Sequence, residues 1–201
     1  MKQVELKRGD LSFPALMAGE GEPVILLHGF PDCYLNWSAQ VEALAAAGYC
    51  AVAPALRGYA PSCQPADNDY SLVAAVEDVC EFAEQLGGKV HLVGHDWGAV
   101  VTQLAAARSP ELFHSITTLA IPPLRRLPGA LLRVPEQLLL SSYMELFQLP
   151  LVPEWLLKRD TLAGIEWLWQ RWSPDWDGGA FLDNARDVLA QPRVMHCALN
   201  W

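Results

Sequence analysis

The stretch VHLVGHDWGAV, Val90–Val100, sets a carboxylate, Asp96, between Gly94 and Gly98 at the end of an apolar run. Small residues on either side of a central side chain permit a sharp strand-to-helix turn that pushes that side chain into the open. Trp97 then opens a helix, so its N–H and the helix dipole point at any negative charge developing beside Asp96. A serine at such a centre needs a neighbouring base. An aspartate, with an ordinary pKa of about 4, is already anionic at neutral pH. Its attack on a carbonyl gives an anhydride, whereas attack on a saturated carbon bearing a leaving group gives a stable alkyl ester. Epoxides and alkyl halides offer such carbons, and a base-activated water must then cleave the ester. The plain alternative is that Asp96 only caps the helix behind it. The flanking glycines and the preceding strand favour the nucleophile.

A second loop, His28-Gly29-Phe30-Pro31-Asp32, follows the apolar run PVILL. Its backbone can present the Phe30 N–H to the same site, as the second donor of an oxyanion hole beside the Trp97 N–H. Phe30, Pro31 and Trp97 are therefore the candidate substrate-pocket residues. His28 reads as a structural histidine bonded beneath its loop. His91 and His95 tempt a metal reading, but on a strand that spacing separates them by roughly 13 Å. No metal and no cofactor are expected.

These loops need elements to hold them. Strands are predicted at Val4–Lys7, Leu11–Met17, Pro23–Leu27, Tyr49–Ala55, within KVHLVGH, and at His114–Ile121. Helices are predicted at Ser38–Ala47, over SLVAAVEDVCEFAEQLGG and at Trp97–Ala107, the second ending in a Gly87-Gly88 stop. Short Val/Ile/Leu runs alternating with helices mean a mostly parallel, doubly wound α/β sheet with ligands at the carboxyl ends of its strands. Both loops fall at such ends. After Pro122-Pro123 the pattern changes to short helical pieces rich in Leu, Trp and Pro. Residues 1–121 are read as the core and 122–201 as a helical cap.

Composition narrows the partners. A net charge of −9 with no Lys/Arg cluster disfavours nucleic acid. The most apolar region, starting at Gly129, is broken by Arg133, Glu136, Glu145 and prolines, so no membrane span is expected. No signal peptide is read at the N-terminus. Five scattered cysteines without CxxC spacing point to a reducing cytoplasm, and Asn36-Trp37-Ser38 is read as a chance sequon.

HGFPD with Trp37, LRGY at Leu56–Tyr59 and VGHDWGA at Val93–Ala99 together resemble the α/β-hydrolase superfamily, and within it the epoxide hydrolases. The resemblance implies Asp96 as nucleophile, backbone N–H groups of Phe30 and Trp97 as the oxyanion hole, and a small apolar epoxide and water as substrates. SYMELFQLP, Ser142–Pro150, is similar to the cap segment whose tyrosine donates a hydrogen bond to the epoxide oxygen. That role maps onto Tyr143, since a phenol of pKa about 10 can protonate an emerging alkoxide. One departure is Ala55, where relatives commonly carry Asp before LRGY; an effect on loop packing is expected. A haloalkane dehalogenase is the alternative enzyme, disfavoured by Phe30 where such enzymes often have Asn. A non-catalytic, ligand-binding hydrolase-fold remnant is the alternative from another class.

The expected chain order is nucleophile, acid, base. After Asp96 this sequence offers only His114, at the amino end of a strand, and His196, within the cap. The closing ALNW resembles the start of the motif bearing a second epoxide-polarising tyrosine. The sequence is therefore read as the amino-terminal part of such a hydrolase, truncated before the later acid and histidine. Turnover by this chain alone is not expected, its last strand should leave an apolar edge, and a complementing C-terminal segment enters as a candidate partner.

Overall fold

A computed structural model describes residues 1–127, 129, 133–134, 136–137, 141–147, 149, 152–176 and 178–201. Much of the run 129–140, and Gln148 and Pro150 of the SYMELFQLP stretch, lie outside the described residues. The strands are β1 (Lys2–Arg8), β2 (Leu11–Ala18), β3 (Glu22–Leu27), β4 (Tyr49–Pro54), β5 (Val90–His95) and β6 (Phe113–Leu119). Between them run α1 (Ser38–Ala46), α2 (Leu72–Gln85) and α3 (Trp97–Arg108). These bounds lie within three residues of the sequence expectation wherever that gave limits.

The six-stranded sheet has the order β1-β2-β4-β3-β5-β6. β1, β2 and β4 pair antiparallel, and β4, β3, β5 and β6 pair parallel. From β3 the chain steps through α1 to β4 on one side; from β4 it crosses back through α2 to β5 and through α3 to β6. Right-handed crossovers running in opposite directions put α1 on one face and α2 with α3 on the other. Consistently, α2 packs on α3, while α1 packs on β2 and β4. The direction reverses between neighbouring β3 and β5, and a crevice opens there beyond their carboxyl ends. The two candidate loops leave from those two strand ends.

The buried runs of β3 and β4 carry almost no polar side chain, as a strand covered on both faces requires. α2 is amphipathic: Ala75, Val76, Val79, Phe82 and Ala83 are buried, and Phe82 meets Phe13 edge-on at 4.9 Å. Ser71 caps α2 by accepting the Ala74 N–H at 3.2 Å. Ala55 is fully buried and its N–H bonds to the Pro14 carbonyl at 2.8 Å. β6 borders the sheet among the described residues, with Ile116 and Leu119 more than 40% exposed.

Beyond β6 the described residues are helical: α4 (Tyr143–Phe147), α5 (Val152–Trp172), α6 (Gly179–Leu189) and α7 (Val194–Ala198). The expectation of only short pieces fails at α5, which runs for 21 residues. Pro153 lies in its first turn, where the missing N–H has no partner to lose, so the proline starts this helix instead of breaking it.

Candidate functional site

Asp96 stands between β5 and α3 with φ 54 and ψ −119, a conformation that side chains other than glycine rarely adopt. Packing holds it there. A Cβ on Gly98 would run into the carbonyl oxygens of Leu27 and His28, so α3 starts directly against the end of β3. A Cβ on Gly29 would run into the Asp96 carboxylate itself. The glycines that marked the sequence are thus the points where two strand-end loops touch.

That contact brings the Phe30 N–H to 2.9 Å from Asp96 Oδ1, and the Trp97 N–H bonds the same carboxylate. Burial raises the Asp96 pKa above the ordinary carboxylate value, while the two N–H bonds pull against that rise. The site therefore holds a desolvated carboxylate with two backbone donors trained on it, a geometry suited to an oxyanion at that carbon.

A cavity of about 720 Å³ opens over Asp96. Its floor is Phe30, Pro31, Asp32, Trp37, His95 and Trp97, and its opposite wall is drawn from the helical segment: Tyr143, Phe147, Trp169, Trp172, Trp176, Phe181 and Trp201. Every candidate residue named from the sequence (Asp96, Tyr143, Phe30, Pro31, Trp97) borders this one space. The Tyr143 ring packs 5.5 Å from Phe147 and 5.2 Å from Trp172. Burial, reinforced by the charge of Asp96, raises the Tyr143 pKa, so its hydroxyl stays protonated at neutral pH.

The two walls are stitched by side chains. Trp169 Nε1 donates to the Pro31 carbonyl at 3.2 Å, and Trp201 Nε1 donates to the Arg57 carbonyl at 3.0 Å. Asn36 donates to the Phe181 carbonyl at 3.0 Å and accepts from Asn184 at 3.0 Å.

Asp32 and Asn36 are polar residues of the site to which the sequence reading assigned no role. Asp32 Oδ1 accepts from the Cys33 N–H at 2.7 Å and from Asn36 Nδ2. Burial raises the Asp32 pKa, and the nearby Asp96 charge adds to the rise. The available signal was an acidic residue inside the HGFPD motif itself.

The histidines divide cleanly. His28 is fully buried, and its pKa is lowered to about 4, chiefly by burial. His91 and His114 lie at the amino ends of their strands, sharing Glu22 at 3.4 and 3.0 Å. His196 is exposed and pairs with Glu154 at 3.4 Å. Of the five, only His95 borders the cavity. Among the described residues no group of three His, Cys, Asp or Glu is placed to hold a metal ion. No described helix is long and apolar enough to cross a membrane.

Residues 22–160 match the alpha/beta hydrolase fold family. The chain is 34% identical over 169 residues to mouse "Epoxide hydrolase 4", covering 82% of this chain and 47% of that protein. It is 31% identical over 190 residues to "AB hydrolase superfamily protein YfhM" of Bacillus subtilis, covering 90% of this chain and 65% of that protein. The chain thus spans about half to two thirds of these relatives. In three dimensions it is similar to an epoxide hydrolase from Bacillus megaterium (TM-score 0.82, 25% identity), covering 98% of this chain and 70% of that one. With a doubly wound sheet, an aspartate at the β5 elbow and epoxide hydrolases among its relatives, this chain belongs to the α/β-hydrolase fold family.

Proposed function

We propose that the site opens epoxides by nucleophilic attack of Asp96. The observation that carries this reading is the placement of Asp96, held by two backbone N–H groups, in one cavity with the protonated Tyr143 hydroxyl. The carboxylate oxygen left free by Phe30 attacks a ring carbon, the ring C–O bond breaks, and Tyr143 gives its proton to the departing alkoxide. The product is a hydroxyalkyl ester on Asp96. Water then adds to the ester carbon, and the resulting oxyanion lies between the Phe30 and Trp97 N–H groups. The tetrahedral centre collapses to release the diol.

Residues 122–201 act as the cap over that cavity. Its aromatic wall favours a small apolar epoxide over charged substrates. Five unpaired cysteines fit the cytoplasmic location expected from the sequence.

Water activation separates the two halves of the reaction. Among the described residues, no histidine both borders the cavity and makes a hydrogen bond or ion pair to a carboxylate: His95 has the first property, and His91, His114 and His196 have the second. The reading for the 201-residue chain is therefore ester formation with slow release, unless a C-terminal segment supplies a base. Intact-mass spectrometry with excess styrene oxide should show one adduct, mapped to Asp96 and absent in Asp96→Asn. Diol release should stay well below one equivalent per site while the adduct persists. No adduct, or halide release from alkyl halides without epoxide opening, overturns the reading. Sustained turnover would assign the base to His95 or His196, to be separated by substitution.

A further inference from the structure

Three strand-end loops meet at His28. Its Nε2 accepts the Leu56 N–H at 3.0 Å, its Nδ1 lies 3.0 Å from the Gly29 carbonyl oxygen, and its own carbonyl accepts the Gly98 N–H at 3.0 Å. Because Nε2 accepts, the neutral ring carries its proton on Nδ1 and donates it to Gly29. The Gly29 carbonyl belongs to the same peptide group as the Phe30 N–H. Orienting one end of that group aims the other, which reaches Asp96 Oδ1 at 2.9 Å.

The Leu56 end of this chain has its own anchor. Arg57, one residue along, is 4% exposed and grips both oxygens of Asp78 on α2, with Nε to Oδ2 at 2.8 Å and Nη2 to Oδ1. Its Nη1 donates to the Asp69 carbonyl at 3.3 Å. A fork held at two atoms fixes direction as well as distance, which a lysine ammonium cannot do. A buried ion pair is a weak source of net stability, and its best-attested use is to fix register. Arg8 also reaches Asp78, at 3.1 Å, from β1, and makes no contact with the Leu56 loop among its hydrogen bonds and ion pairs.

We propose that Arg57 and Asp78 are positioning residues for the oxyanion hole, holding the Phe30 N–H on Asp96 through Leu56, His28 and Gly29. The proposal rests on the Asp96 reading above. It makes a split prediction. Ester formation removes charge from the carboxylate and depends little on that donor. Ester cleavage builds an oxyanion and depends on it strongly.

The test uses the 201-residue chain, styrene oxide and hydroxylamine. Hydroxylamine attacks the Asp96 ester carbon, expels the diol alkoxide (protonated by solvent), and leaves a hydroxamate on Asp96; no enzyme base is needed. In Arg57→Lys we expect adduct formation within about threefold of the parent and hydroxylamine cleavage slowed about tenfold or more. The ¹⁵N signals of the His28 ring should move away from the Nδ1–H form with an accepting Nε2. Arg8→Ala, which takes the other guanidinium from Asp78, should lower the melting temperature yet leave both cleavage and His28 signals unchanged. Equal changes in the two variants, or a lysine variant that matches the parent, overturn the proposal. Should Arg57→Lys not fold, Asp78→Asn carries the same readouts. If even the parent forms no adduct, the Asp96 reading fails and the ring signals alone decide the positioning link: movement in Arg57→Lys but not Arg8→Ala supports it.

Discussion

On the sheet side of the cavity Asp96 is held by backbone: the N–H groups of Phe30 and Trp97, with Gly29 and Gly98 in contact too close for any side chain. On the helical side the cavity is walled by rings, with Trp169 stacked on Trp176 at 4.9 Å and Tyr143 against Trp172 at 5.2 Å. Backbone donors need no side-chain ordering and present the same geometry to every substrate. Ring walls can be resized one residue at a time without touching the donors. In the proposed reaction the sheet side would supply the oxyanion donors, and the helical side would supply the Tyr143 proton and select what enters.

The comparison is broken most directly at Gly98. Gly98→Ala places a methyl group against two backbone carbonyls, neither of which can turn aside. We expect a loss of about 3 kcal/mol or more in urea unfolding. Trp176→Ala, at a residue 40% exposed, should cost about 1 kcal/mol or less while weakening retention of apolar ligands. If Gly98→Ala unfolds like the parent and still forms the adduct, the rigid-floor picture is wrong.

Next in size is the acid response of His28. Its pKa is about 4 in the fold against 6.5 when free. Between those values the unfolded chain binds the extra proton, so this contribution is present above pH 6.5 and lost as pH falls toward 4. The effect is on the order of 3 kcal/mol. Stability measured from pH 7 to 4 should fall accordingly, and His28→Gln should flatten that slope. A parent protein with no slope in the window would remove His28 from its structural role.

Tyr143→Phe tests the helical side. Loss of the proposed proton donor should slow adduct formation about 100-fold, or ~2.7 kcal/mol, with little change in the affinity for an unreactive apolar amide. Equal losses in rate and affinity would make Tyr143 a packing residue.

The smallest effect sharpens the electrostatics of the floor. Asp96 has a raised pKa in the fold, so its favourable contribution exists below its unfolded value near 3.8 and is lost as pH rises through the folded value. Asp96→Asn should thus stabilise the protein at pH 7 by about 1 kcal/mol, seen as 2–4 °C in the melting temperature, with no gain near pH 3. Destabilisation at pH 7 would mean that the two N–H bonds outweigh burial.

Much of the floor was legible in the sequence because it is local. A strand, a glycine-bounded turn and a helix lie within Val90–Val100, and each follows from residue type and spacing. The helical segment was less so. Its tryptophans and charges form no clean apolar stripe, which is why the 21-residue α5 was expected as shorter pieces. What only the tertiary structure decided are the contacts between distant residues. Trp201 meets the Arg57 carbonyl across 144 positions, Asn36 meets Asn184 across 148, and the Arg57 fork finds Asp78 inside the core. Local spacing sets which way a strand or turn runs. A hydrogen bond additionally needs two groups brought to about 3 Å at the right angle, and that depends on how the sheet twists and how helices pack over it.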